Sequence, residues 1–234
     1  MKYLLFVVLM AVSISIVGMQ QTDNILRFSQ PKRKPPVSQQ LKDWDAEFLG
    51  GGYTENLIWE KESTNNLPSL AFPQPGGYLT WLCYLVATQF KSTSISGTLT
   101  MTVEVSAVGQ PVFNWQSEAD NTCYWNPATV RPFFAGTQTQ NFNTTGRWWA
   151  APPNEYILAP GTATITVPLT PDNWVDVQGE KGTLNSDTLA GFASSIKSVM
   201  WIGMTFGGGC FYSHGVNVSG VSAEFKVLDY QIAP

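Results

Sequence analysis

Thr98-Leu99-Thr100-Met101-Thr102-Val103-Glu104-Val105 carries an apolar side chain at every second position. A strand turns successive side chains to opposite faces, so leucine, methionine and both valines share one side while the threonines and Glu104 share the other. The octet therefore reads as a strand with one dry face and one wet face. Thr162-Ala163-Thr164-Ile165-Thr166-Val167 repeats the period up to Pro168, and Val221-Ser222-Ala223-Glu224-Phe225-Lys226-Val227 repeats it again. Beyond Val227 the apolar set moves by one place to Leu228, Tyr230 and Ile232, which predicts a β-bulge near Val227.

Two further runs, Tyr78 to Ala87 and Val199 to Phe206, are almost continuously apolar and are bounded by glycine or turn residues. That is the pattern of strands covered on both faces. Phe72-Pro73-Gln74-Pro75-Gly76-Gly77, Ala159-Pro160-Gly161 and Gly179-Glu180-Lys181-Gly182 punctuate the strands as turns. One segment has helical spacing: Leu189, Phe192 and Ile196 recur within Ser186 to Ser198, behind the cap-like start Asn185-Ser186-Asp187. Many short strands, Gly/Pro turns and no alternation of strand and helix define an all-β chain. The expected architecture is a two-sheet antiparallel β-sandwich, a jelly roll, with one short helix. Trp44, Phe48, Tyr53, Leu57 and Trp59 leave residues 37–77 open between an edge strand, a short helix and a wrapped loop.

The start of the chain supplies an address. Met1-Lys2-Tyr3 holds one positive charge, and Leu4 to Val17 holds none, the layout of a secretory signal peptide and too short for a spanning helix. The expected organisation is a signal peptide at residues 1–18, a polar Pro/Lys-rich linker at 19–36 and a β-sandwich at 37–234. Export to the periplasm or the cell exterior follows, with no membrane span once the signal is removed. Only 13% of the residues are charged and the net charge is −4, so the chain offers no electrostatic footing for nucleic acid.

Exported chains keep disulfides. Of Cys83, Cys123 and Cys210, Cys83 lies within an apolar strand, so a bond between Cys123 and Cys210 is the expected pairing. No zinc spacing is present, and no cofactor is expected; a structural calcium held by backbone carbonyls and an acid such as Asp120 is the metal for which a sandwich edge loop leaves room. His214 is the lone histidine, in Gly207-Gly208-Gly209-Cys210-Phe211-Tyr212-Ser213-His214-Gly215, which reads as a tight glycine-rich turn with Cys210 bonded and His214 exposed. Were the protein an enzyme, the pair to carry a glycoside hydrolase or lyase reaction would be Glu104 and Glu224, both on wet strand faces, where Lys226 next along suggests an ordinary surface pair.

Aromatic residues are abundant, with 9 tryptophans, 8 tyrosines and 13 phenylalanines, and several occupy positions that a core does not require. Trp148 and Trp149 are adjacent, so in a strand they point to opposite faces and one of them is expected at a surface or rim. Asn114 to Asn126, which holds Trp115, Trp125 and Asn126, mixes rings with amides and acids in what reads as a long loop. Sugars present a C–H face to an indole and hydroxyls to amides and carboxylates, so this mixture suits a glycan. The closing run FGGGCFYSHGVNVSGVSAEFKVLDYQI, with the exported sandwich plan over residues 78–234, resembles carbohydrate-binding modules and related galactose-binding-like or concanavalin-like sandwiches. The resemblance implies a glycan partner. The resulting expectation is a carbohydrate-binding protein that uses Trp115, Trp125, Asn126, Trp148 and Trp149, set against a hydrolase and against a structural surface protein with no small ligand.

Overall fold

A computed structural model describes residues 39–40, 44–50, 57–61, 67–87, 93–116, 127–136 and 144–234, with the backbone alone at 39–40, 50, 57–61 and 144. These residues fall in one unit, Pro35–Pro234. In chain order the strands begin with β1 (Gln39–Gln40), β2 (Trp44–Gly50), β3 (Leu57–Lys61), β4 (Ser69–Ala71) and β5 (Leu79–Ala87). They continue through β6 (Thr98–Ala107), β7 (Val112–Trp115), β8 (Ala128–Gly136), β9 (Arg147–Ala150) and β10 (Tyr156–Ile157). After β11 (Gly161–Pro168) and β12 (Trp174–Val175) comes the helix α1 (Ser186–Lys197), and β13 (Val199–Gly208), β14 (Val216–Ser219) and β15 (Ala223–Ala233) close the chain.

The octet that opened the reading is the body of β6, and its dry face is buried: Leu99, Met101 and Val103 are fully covered. It is central in a small antiparallel sheet of order β1-β15-β6-β11, with β4 also on β15. The slip expected near Val227 is present as a register shift between Val227 and Asp229 where β15 runs along β6. The large antiparallel sheet follows the order β12-β9-β8-β13-β5-β14-β7, with β10 on β8, β2 on β5 and β3 on β2. The chain is thus all-β, two antiparallel sheets and one helix. The unclear stretch before Gly77 supplies strands to both sheets.

One apolar core takes residues from both sheets, including Leu99, Met101, Phe225 and Tyr230 of the small one and Leu82, Val130, Phe134 and Phe206 of the large one. Aromatic edges lock the layers together: Trp44 meets Tyr230 at 5.2 Å and Phe206 meets Phe225 at 5.0 Å, both T-shaped. That geometry puts the positive edge of one ring against the negative face of the other. The Tyr230 hydroxyl donates to the Gly203 carbonyl, so the small sheet also hydrogen-bonds to the large one. α1 starts where expected, with the Asn185 side chain accepting from the amides of Asp187 and Thr188. Its buried Phe192 lies against Trp148 at 5.1 Å and Phe134 at 5.7 Å. Among the described residues no helix is long and apolar enough to cross a membrane.

Two local features shape the outer face of the large sheet. Pro132 sits inside β8, where a missing amide would normally break a ladder. It is tolerated because β10 pairs only with Thr129 and Val130 and β9 only with Phe133 to Ala135, which leaves Pro132 at the gap between them. The second feature is a divided strand. β2 runs along β5 from Leu79 to Ala87, so β13 and β14 share the other edge of β5, end to end. Gly209 to Gly215 leaves the sheet and returns, with the Gly215 amide donating to the Phe206 carbonyl. The tight glycine turn is present, with Gly208 and Phe211 exchanging both backbone hydrogen bonds around Gly209-Cys210, and the chain then runs on over the sheet in an excursion before β14.

Candidate site on the outer face of the large sheet

The register aligns one polar row across four strands: Glu47 of β2 faces Tyr84 of β5, Tyr84 faces Thr205 of β13, and Thr205 faces Arg131 of β8. Paired residues share a face, and alternation turns this row away from the core that holds Phe48, Leu85, Met204 and Val130. A second row alongside is apolar, with Val86, Phe133, Trp149 and Val175 in a separate buried cluster against which Tyr84 and Tyr212 rest.

The excursion covers these rows. Gly207 and Gly208 make that approach feasible, since a Cβ on Gly207 would collide with the Phe211 carbonyl oxygen and one on Gly208 with the Trp115 ring. The loop delivers Tyr212, whose ring lies 4.4 Å from the Arg131 guanidinium carbon and 6.1 Å from the Trp149 ring. Ser213 shares a hydrogen bond with the Tyr84 phenol. At the loop's other flank Phe211 stacks on Trp115 at 6.3 Å and contacts His214 at 4.4 Å. Tyr212 is half-buried over the covered row, whereas Trp115, on which Phe211 stacks, is paired with Val216 and packs against the main core.

Electrostatics in the row follow from burial. Arg131 donates to the Ala150 carbonyl and pairs with Glu155 at 3.3 Å, while desolvation pulls its pKa below the usual guanidinium value. Glu47 is 4% exposed. Desolvation alone pushes its carboxyl up to about 7. Burial likewise pushes the Cys83 thiol and the Tyr84 phenol up to about 12, and the charge on Glu47 adds to both. Arg131 Nε, Thr205 Oγ1 and Trp149 Nε1 are buried with no hydrogen-bond partner. An unsatisfied buried donor or acceptor costs about 1–3 kcal/mol.

The residues expected to form a site meet different fates. Trp148 and Trp149 do point to opposite faces, but neither is exposed: Trp148 is in the main core, its indole N–H donating to Thr145, and Trp149 lies under the loop. The error has a physical cause, because the cover over Trp149 comes from Tyr212, far away in the chain. Trp115 is in β7, paired with Val216, and not in a loop. Trp125, Asn126, Cys123 and Asp120 lie outside the described residues. His214 is half-buried on Phe211, where exposure was expected. Cys83 is a buried free thiol; among the described residues no two cysteines are bonded, and Cys210 is not free.

Glu104 and Glu224 belong to the outer face of the small sheet. Lys226 stands opposite Glu104 in register, and Glu224 accepts from the Ser69 hydroxyl. Neither reaches the row described above, which sits on the other sheet. Among the described residues no cluster of three or more metal-ligating side chains occurs. Sequence reading missed Glu47, Tyr84, Arg131, Thr205 and Tyr212. The available signal was Arg131 alone in the apolar run Ala128 to Gly136, a cation with no local partner. Comparison with known proteins finds no protein family, no curated protein and no solved structure that matches the chain.

Proposed function

We propose that the protein is an exported glycan-binding β-sandwich, and that its ligand face is the outer face of the large sheet around the Gly209 to Gly215 excursion. The observation that carries this reading is the juxtaposition there of the half-buried Tyr212 ring with Trp149 beneath it and the unpartnered polar atoms of Arg131, Thr205 and Trp149. Rings offer a stacking surface for sugar C–H groups, and the polar atoms offer donors and an acceptor for hydroxyls. In this reading Trp149 keeps a binding role, in the floor, while Trp115, which packs against the main core, does not belong to this face. A disulfide between Cys210 and Cys123 would tether the excursion.

The test is a glycan-array screen of the mature protein, followed by affinity measurements on Trp149→Ala and Tyr212→Ala. Each change should weaken the best glycan about tenfold, since a stacking contact contributes about 0.5–1.5 kcal/mol beyond the area it buries. Thermal melts of both variants accompany the binding data. Glycan affinity unchanged in two folded variants rules out this face.

A further inference from the structure

β11 is the long strand that the fold leaves open on one side. It ends the small sheet and pairs with β6 alone, in unbroken register from Gly161 on Val105 to Pro168 on Thr98. Apart from the Pro168 carbonyl, which accepts from the Trp174 indole, no described residue outside β6 hydrogen-bonds to its backbone. An edge with unused amides and carbonyls is a template for another strand, and proteins guard it by keeping it short, charging it, bulging it or placing proline within it. Among the described residues the other outer strands are guarded in this way. β1, β10 and β12 have 2 residues each, β4 has 3, β7 has 4, and β3 has 5 with Glu60 and Lys61 among them. β11 has 8 residues, no charged side chain, no break in register, and proline only at its last position. Its body, Thr162 to Val167, is rich in the β-branched residues that favour pairing.

We propose that β11 is a docking edge for a second copy of this chain, the two strands pairing antiparallel about a two-fold axis at Thr164, so that two small sheets join into one. The pattern of the strand is what selects its own copy. About that axis Thr164 stands opposite the partner's Thr164, Thr162 opposite the partner's Thr166, and Ala163 opposite the partner's Ile165. Threonine then meets threonine along the exposed face, and the small Ala163 meets the larger Ile165 along the core-facing one. Threonines directly opposite each other hydrogen-bond across strands, as Thr102 of β6 and Thr164 of β11 already do within one copy at 2.9 Å. With no charge in β11, two copies of a chain of net charge −4 meet there without side-chain repulsion within the strand. The strand is also held ready. Ile165 and Val167 are buried in the core, so pairing orders little that is not already ordered. A two-fold contact of this kind uses the same patch on both copies and closes at the dimer.

The experiment is sedimentation equilibrium of the purified protein from micromolar to millimolar concentration, on the parent, Thr164→Lys, Thr164→Glu and an equal mixture of the two variants, with thermal melts alongside. The parent should dimerise reversibly with concentration. Thr164 is exposed, so either charge leaves the core of the single copy alone, while two like charges directly opposite oppose pairing. Each variant by itself should therefore dissociate at least about tenfold more readily than the parent. The mixture should recover dimer, because lysine then faces glutamate. A parent that is monomeric over the whole range overturns the proposal without any variant having to fold. If that monomer instead binds an alternating threonine–valine peptide, the edge belongs to an unlike chain and the second copy is ruled out. Variants that dimerise as the parent does, or a mixture no tighter than either variant alone, overturn the pairing at Thr164.

Discussion

Ionising Glu47 in the folded protein is unfavourable, and the sign of its effect on stability follows. The carboxyl titrates at about 4.5 in an open chain and at about 7 in the fold, so the folded state binds its proton more tightly. The stabilisation is fully present below about pH 4.5 and is lost as pH rises through about 7. Once both states are ionised, the cost is about 3 kcal/mol. Glu47→Gln cannot ionise, so its melting temperature should stay flat between pH 5 and pH 8 while that of the parent falls. The variant should be the more stable protein at pH 8, less whatever a buried amide loses. A parent and a variant that melt in parallel across that range would show that Glu47 is not buried as described. The alternation of Trp44, Ala46 and Phe48 with Asp45 and Glu47 already told which face the acid takes. It did not tell that the face is covered, because the cover is tertiary.

Elements whose own side-chain period sets their faces were legible, and features that depend on cover from elsewhere in the chain were not. The strands β6, β11 and β15 and the bulge in β15 could be read from period alone, as could α1 with its Asn185 cap. The Gly207 to Gly215 segment was legible in part: its tight turn at Gly209 is present, but its further run over the sheet was not readable. Three glycines indicate that backbone comes close, but a turn and an excursion use them alike. Here Gly207 serves close approach of the Phe211 and Tyr212 backbone, so Gly207→Ala should lift the excursion from the sheet. The expected result is a loss of about 1–3 kcal/mol in denaturant unfolding, in the range of overpacked sites. Faster proteolysis within the excursion should accompany it. Ala in place of Asn185 should instead cost about 1 kcal/mol with no change in that cleavage, since it removes only the two capping hydrogen bonds of α1. Equal cleavage of the Gly207 variant and the parent would mean that the loop does not rest on the sheet.

For the whole molecule the decisive interactions are those that hold the outer cover to a core built from both sheets. The core needs no covalent help, since Trp44, Phe206, Phe225 and Tyr230 already bind the layers through edge-on contacts. The excursion is different: apart from Tyr212 on Arg131 and Ser213 on Tyr84 it has few contacts with the outer face. A covalent tether at Cys210 is the economical way to keep it in place in an oxidising compartment, and Cys83, buried beneath Gly215 with its thiol pushed up to about 12, is a poor partner. We therefore expect a non-reduced digest of the protein to yield a peptide joining Cys123 to Cys210. By the chain-entropy account a loop of that span contributes about 4 kcal/mol, so reduction should lower the melting temperature markedly. Because the tether acts on the cover and not on the core, reduction should also expose Trp149 to quenchers while leaving the far-ultraviolet β signal in place below the melt. A digest that joins Cys83 to either other cysteine, or a reduced protein with unchanged quenching, would place the restraint elsewhere.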